Sequence, residues 1–240
     1  MAVSDLLYLA IIAILLLVDH FLLWPAFLRR SADDPHRARQ RLWSGWMIML
    51  WTLVVIGLGL WVSEARSWEA LRLTIPHGWR LWLAIGLVVT FAVVQARPIL
   101  RLAVAKGRVR VPMGAPDLEK LLPHTRTELR LWIGLSLSAA FGEEFIFRGY
   151  LIWAFQPVLG LWGAAGLSVV AFALAHAYQG ATGVLITGIS AILFVGVVLA
   201  FDSLLPAIAL HAILDVSHGL LGWLAVAHDA VVTYDARTGQ

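Results

Sequence analysis

The sequence contains no cysteine, which excludes disulfides, cysteine-based zinc fingers and a thiol nucleophile. Charge is also scarce: Asp, Glu, Lys and Arg make up 14% of the chain, against about 25% in a soluble globular domain. Lysine is nearly missing, with Lys106 and Lys120 the only two. Low-complexity tracts and internal repeats are lacking, and glycine and proline are not enriched, so nothing marks a solenoid or a disordered chain. A signal peptide is not expected either. Asp5 is the first charge and Arg29 the first basic residue, and no small-residue cleavage pattern follows residues 6–18. That stretch reads as a retained first span.

What the chain has in excess is apolar surface. Hydrophobic residues are 60% of it and the mean hydropathy is +0.83, more than one core of this size can hide. Lipid must therefore solvate it. The expected fold is all-α, a polytopic transmembrane bundle of about seven spans, at 4–28, 43–62, 80–97, 131–155, 158–178, 182–201 and 204–227. Residues 98–125 offer an eighth helix lying on the membrane. Domain organisation follows: 1–125 N-terminal spans and a basic loop, 126–227 a catalytic transmembrane unit, 228–240 a short tail.

The net charge of +3 does not point to nucleic acid, because the basic residues flank apolar spans. Segment 29–42 carries five basic residues against two acids, segment 97–130 eight against three, and segment 63–80 three against two. The positive-inside rule places the first and third of these loops in the cytoplasm, the N-terminus outside and the tail inside. Arginine-rich, lysine-poor usage suggests a bacterial inner membrane. Trp24, Trp43, Trp61, Trp79, Trp132, Trp153 and Trp162 fall near span ends and read as an interfacial belt.

Three groups of polar residues stand where lipid should be. In the fourth span, Glu143, Glu144 and Arg148 are ionisable, and each such residue costs roughly 2.5–3.5 kcal/mol at a helix centre. Glu144 and Arg148 are spaced i,i+4 and can pair along one face, which leaves Glu143 without an intrahelical cation. The fifth span ends in Phe172-Ala173-Leu174-Ala175-His176, where a histidine taken alone reads sooner as a packing or interfacial residue. The last span carries His211 and Asp215 one turn apart, either a pair in which Asp215 fixes the tautomer or a self-satisfied helix stitch. Together, a glutamate and a histidine could deprotonate water while a second histidine stabilises an oxyanion. Ser168 and Ser217 read as helix–helix contacts, not nucleophiles.

The pattern Glu143-Glu144-x-x-x-Arg148, Phe172-x-x-x-His176, His211-x-x-x-Asp215 resembles the three motifs of the CAAX-protease and bacteriocin-processing (CPBP, Abi) family of intramembrane endopeptidases, over about residues 125–227. The resemblance implies proteolysis at a site that opens to the cytoplasm, among the last four spans. It implies that Glu143 and His176 activate water, that His211 and Asp215 line the oxyanion side, and that Glu144 and Arg148 support them beside Phe172. Eukaryotic members remove the last three residues of prenylated CAAX proteins, and bacterial members process other membrane peptides. The expected partners are thus a membrane-associated protein or peptide, prenylated or not, and the bilayer.

Members are often called metalloproteases. Glu143, His176 and His211 could supply three zinc ligands with an open fourth position, but no His-Glu-x-x-His helix is present and using Glu143 as a ligand removes the best base. The favoured reading requires no cofactor, with zinc as the alternative. Two other functions compete: a proton-coupled transporter, since Glu, His and Asp also build proton relays, and a catalytically silent immunity protein on the same scaffold. His218, one turn beyond Asp215, is either a supporting partner or an interfacial residue. Arg101, Lys106, Arg108 and Arg110, interleaved with Leu100, Leu102, Val104 and Val109, favour an anionic leaflet and could gather a membrane-bound substrate.

Overall fold

A computed structural model describes residues 2–104 and 118–227, and every described element is helical. In chain order these are α1 (Val3–Val18), a π-helical turn (Asp19–Leu23), α2 (Trp24–Asp33), α3 (Pro35–Ser63) and α4 (Trp79–Val104). A 3-10 turn (Leu118–Leu121) leads to α5 (Arg126–Glu143), a second π-helical stretch (Glu144–Leu151) and α6 (Ile152–Ala175). A 3-10 turn (Ala177–Gln179), α7 (Gly180–Phe201) and α8 (Leu205–Ala227) complete the bundle. Among the described residues, 6 helical segments are long and apolar enough to cross a membrane, so the protein is an integral, multi-pass helical bundle.

One of these segments, Arg126–Ala175, is 50 residues long, about 75 Å if straight, against a hydrocarbon core of about 30 Å. It is not straight. Gly160 has φ 67° and ψ 171°, a conformation reserved for glycine, and the chain reverses there. The reversal lets Ser168 Oγ donate to the Phe147 carbonyl at 2.8 Å across 21 residues. The two expected helices, 131–155 and 158–178, are therefore two rods joined at Gly160.

Other boundaries differ from the sequence expectation for local reasons. The connection 29–42 is helical from Pro35, because Asp34 caps it by accepting from the Arg37 N–H at 3.0 Å and proline suits the first helical turn. Residues 98–104 are not a separate surface helix but the end of α4, which accommodates Pro98. Residues 105–117, and with them Lys106, Arg108, Val109 and Arg110, lie outside the described residues, as does the tail 228–240. At α5, Thr125 and Glu128 form a reciprocal capping box, which starts the helix five residues before the first apolar run.

The tryptophan belt needs correction. Trp24, Trp43 and Trp61 are buried inside the bundle, not at its rim. Trp61 packs edge-on against Trp153 and donates Nε1 to the Ser67 carbonyl, and Trp43 packs edge-on against Trp132. Trp79 and Trp162 are exposed, as a belt requires. Span ends in a small bundle are also where helices meet, and large rings fill those gaps.

Buried ion pairs tie the N-terminal helices to the rest at both ends. At one end Arg66 sends two nitrogens to Asp5, at 2.8 and 2.9 Å, with its guanidinium over Trp153 and the Tyr150 hydroxyl donating to the same carboxylate. At the other end Arg39 donates to fully buried Glu128 at 2.9 Å, and Glu128 also accepts from the backbone of His124 and Thr125. Burial and the nearby Arg39 charge push the His124 imidazole below its usual value.

Candidate active site

The Glu-Glu-x-x-x-Arg segment straddles the junction between α5 and the π-helix. Glu143 is the last α residue, and Glu144 and Arg148 lie in the wider π turn, a distortion that concentrates at functional sites. Glu143 lies 143 − 126 = 17 residues into the helix, about 25 Å from its start. Asp215 lies 227 − 215 = 12 residues, about 18 Å, short of the end of α8. The site is thus sunk within the bundle.

Arg148 and Glu144 are fully buried, with Arg148 Nη1 3.2 Å from Glu144 Oε1. The guanidinium lies 3.9 Å from the centre of the Phe172 ring, a cation–π contact that replaces hydration. Phe172 in turn packs on His176, with ring centres 4.6 Å apart. The phenylalanine of the second motif therefore separates the buried cation from the histidine four residues on.

His211 belongs to the same cluster. Its Nδ1 lies 3.0 Å from Glu144 Oε1, so that nitrogen carries a proton and donates it. Its Nε2 faces Asp215 Oδ2 at 3.5 Å and Glu143 Oε2 at 3.8 Å, while Phe194 stacks on the ring. An imidazole that meets carboxylates from both nitrogens can donate from both only as the imidazolium. The nitrogen held by hydrogen bond is thus bonded to Glu144, not to Asp215 as the i,i+4 spacing within α8 suggests. Asp215 itself is held through its backbone, whose carbonyl accepts from Trp132 Nε1 at 2.9 Å. That indole lies over Gly219, where a built Cβ would stand 2.1 Å from the ring.

His176 caps the C-terminus of α6. Its Nδ1 lies 2.9 Å from the Phe172 carbonyl oxygen. Beside a carbonyl that nitrogen must be the donor, so in the neutral imidazole the lone pair is on Nε2. Glu143, by contrast, makes no hydrogen bond among the described residues, and its side chain keeps 19% of its exposure. Its charge interacts with His176, His211, Asp215 and Arg148. The sequence-predicted residues Glu143, Glu144, Arg148, Phe172, His176, His211 and Asp215 thus gather at one place. His218 is exposed and reaches the group only through its charge on Asp215. Ser168 and Ser217 are engaged by the carbonyls of Phe147 and Ile213.

Asp19, its partner Trp46, and Tyr178 escaped the sequence reading. Asp19, in the first π turn, is buried and accepts from Trp46 Nε1 at 2.7 Å, and its charge reaches His176. Tyr178, two residues past His176, packs against Trp24 and Trp46. Asp19 was findable, being an acid in an apolar span. Tyr178 carried no such signal. Among the described residues no three His, Asp or Glu side chains form a group that could hold a metal ion.

Residues 125–217 match a family model described as type II CAAX prenyl endopeptidase Rce1-like, a segment that contains all three motifs. The resemblance drawn from those motifs is borne out over this segment. No curated protein and no solved structure matches the chain.

Proposed function

From the match of residues 125–217 to the Rce1-like type II CAAX prenyl endopeptidase model and the multi-pass helical bundle, we propose that the chain hydrolyses a peptide bond of a membrane-associated substrate with water activated by Glu143 and His176. The observation that carries this reading is the division of labour between adjacent carboxylates. Glu144 is fully buried and gives one oxygen, Oε1, to both Arg148 and His211, whereas Glu143 makes no hydrogen bond among the described residues and is reachable.

Water between Glu143 and the free Nε2 of His176 loses a proton to the carboxylate as its oxygen attacks the scissile carbonyl carbon. His211, oriented by Glu144 at one nitrogen, offers the other to the oxyanion, and Asp215 balances its charge. The proton on Glu143 then passes to the leaving amine. No metal takes part in these steps. The substrate reaches the site from the lipid or from its cytoplasmic side, with the N-terminus outside.

The test is cleavage of quenched peptides, prenylated and unprenylated CAAX forms, by purified protein in detergent, with Glu143→Gln and a chelator in parallel. Expected are cleavage by wild type, loss of at least about 10³-fold in Glu143→Gln, and no effect of chelator. A folded Glu143→Gln protein with full activity would end the reading. Loss with chelator, restored by zinc, would overturn its metal-free part.

A further inference from the structure

The chain turns sharply immediately after His176. Helix α6 stops at Ala175, a 3-10 turn covers Ala177–Gln179, and Gly180 takes φ 77°, so the next helix leaves in a new direction. The turn places Tyr178 beside His176, with ring centres 6.0 Å apart. The N-terminal helices also hold the Tyr178 ring, with Trp24 at 4.9 Å and Trp46 at 5.8 Å between centres. Trp46 is itself pinned by its 2.7 Å hydrogen bond to Asp19. A tyrosine packed by His176 and by two tryptophans is a preorganised group.

Its hydroxyl is the informative atom. Among the described residues its hydrogen bond is one that it accepts, from Gln179 Nε2 at 3.1 Å. Its own proton is therefore uncommitted. The phenol interacts electrostatically with Glu143, Asp19 and Asp215, which come from three different helical segments. Carboxylates cannot donate, and the hydroxyl does not bond to any of them. His211, the other donor here, has its Nδ1 proton engaged by Glu144 and its Nε2 flanked by Asp215 and Glu143. An oxyanion served by His211 alone would have one donor, already shared with two acids.

We propose that the Tyr178 hydroxyl is a catalytic residue that donates a hydrogen bond to the scissile carbonyl oxygen as it becomes the oxyanion, held in place by the Trp24–Trp46 wall. This rests on the endopeptidase reading. In the step concerned, water oxygen bonds to the carbonyl carbon and its proton goes to Glu143. The C=O π electrons move onto oxygen, where Tyr178 donates without giving up its proton. When the C–N bond breaks, the pair returns to the carbonyl and the amine takes the proton from Glu143. The N-terminal helices, which lie outside the family segment, thereby become part of the active site.

The experiment is steady-state kinetics of full-length Tyr178→Phe and Trp46→Phe beside wild type and Glu143→Gln, on the peptide that wild type cleaves. Phenylalanine keeps the packing ring, so a thermal melt close to that of wild type is expected. A donor used only in the transition state lowers kcat by about 10²–10³-fold with little change in KM. Trp46→Phe should give a smaller loss of kcat. Wild-type kcat in Tyr178→Phe would overturn the assignment while leaving the protease reading intact, and a rise in KM alone would make Tyr178 a binding wall. Wild type that cleaves neither peptide form would overturn both.

Discussion

Arg148 is fully buried, and among the described residues none of its three side-chain nitrogens makes a well-formed hydrogen bond. It is held by the charge of Glu144 and by the Phe172 face. Removing it strands Glu144 with His211 alone, so Arg148→Met should cost roughly 3–5 kcal/mol, read as a lower melting temperature in detergent. Arg148→Lys should not rescue it, because an ammonium lacks the flat face that stacks on Phe172. A Met variant as stable as wild type would refute the account. The Glu144–Arg148 pair was legible in the sequence because four-residue spacing is a local property. The Glu144–His211 bond was not, since those residues are 67 positions apart and only packing joins them.

At the scale of elements, two backbone irregularities shape the site. The π stretch Glu144–Leu151 widens the turn that carries Glu144 and Arg148. Gly160 reverses the chain so that α6 returns along that stretch and brings Phe172 and His176 to it. Gly160→Ala should destabilise the protein by about 1–3 kcal/mol. Gly166→Ala, on open space within the helix, should be neutral or stabilising by up to about 1 kcal/mol. Equal melts for the two would show that the reversal does not depend on Gly160. Gly219→Ala should displace Trp132, release the Asp215 carbonyl and lower peptidase activity, at an overpacking cost of about 1–3 kcal/mol. Unchanged kinetics in Gly219→Ala would remove Trp132 from the site's support. The sequence reading breaks the chain at 155–158, close to Gly160, but does not mark the π stretch, because a π turn leaves the apolar pattern nearly unaltered.

At the scale of the whole molecule, the N-terminal helices are fastened to the family segment at both ends. The Asp5–Arg66–Tyr150 group closes one end and the Arg39–Glu128 group the other. Arg39→Met should remove the arginine partner of fully buried Glu128, leaving it His36 and two backbone N–H groups, and destabilise the protein by roughly 3 kcal/mol. Arg66→Met should cost less, since that side chain is 12% exposed. The pairs are far apart, and the double variant should lose the sum of the two. Melts of the three proteins in one detergent test this, and strong non-additivity would mean that the ends are coupled through α3. In the sequence Arg39 counted as an orientation charge and Asp5 as a mere first charge, because nothing local announces a partner more than sixty residues away.

The sequence alone determined that this is a membrane bundle, since apolar excess and scarce charge permit no other solvent. It also singled out the ionisable residues that the structure gathers at one place, since such side chains in lipid-length spans are too costly to be incidental. The third dimension decided which carboxylate is spent on support and which stays free. It also decided that His211 answers to Glu144, and that Asp19, Trp46 and Tyr178 from beyond the motifs stand at the site. Contacts between helices follow from how rods cross and where they bend. A one-dimensional pattern of three to four residues carries no record of that.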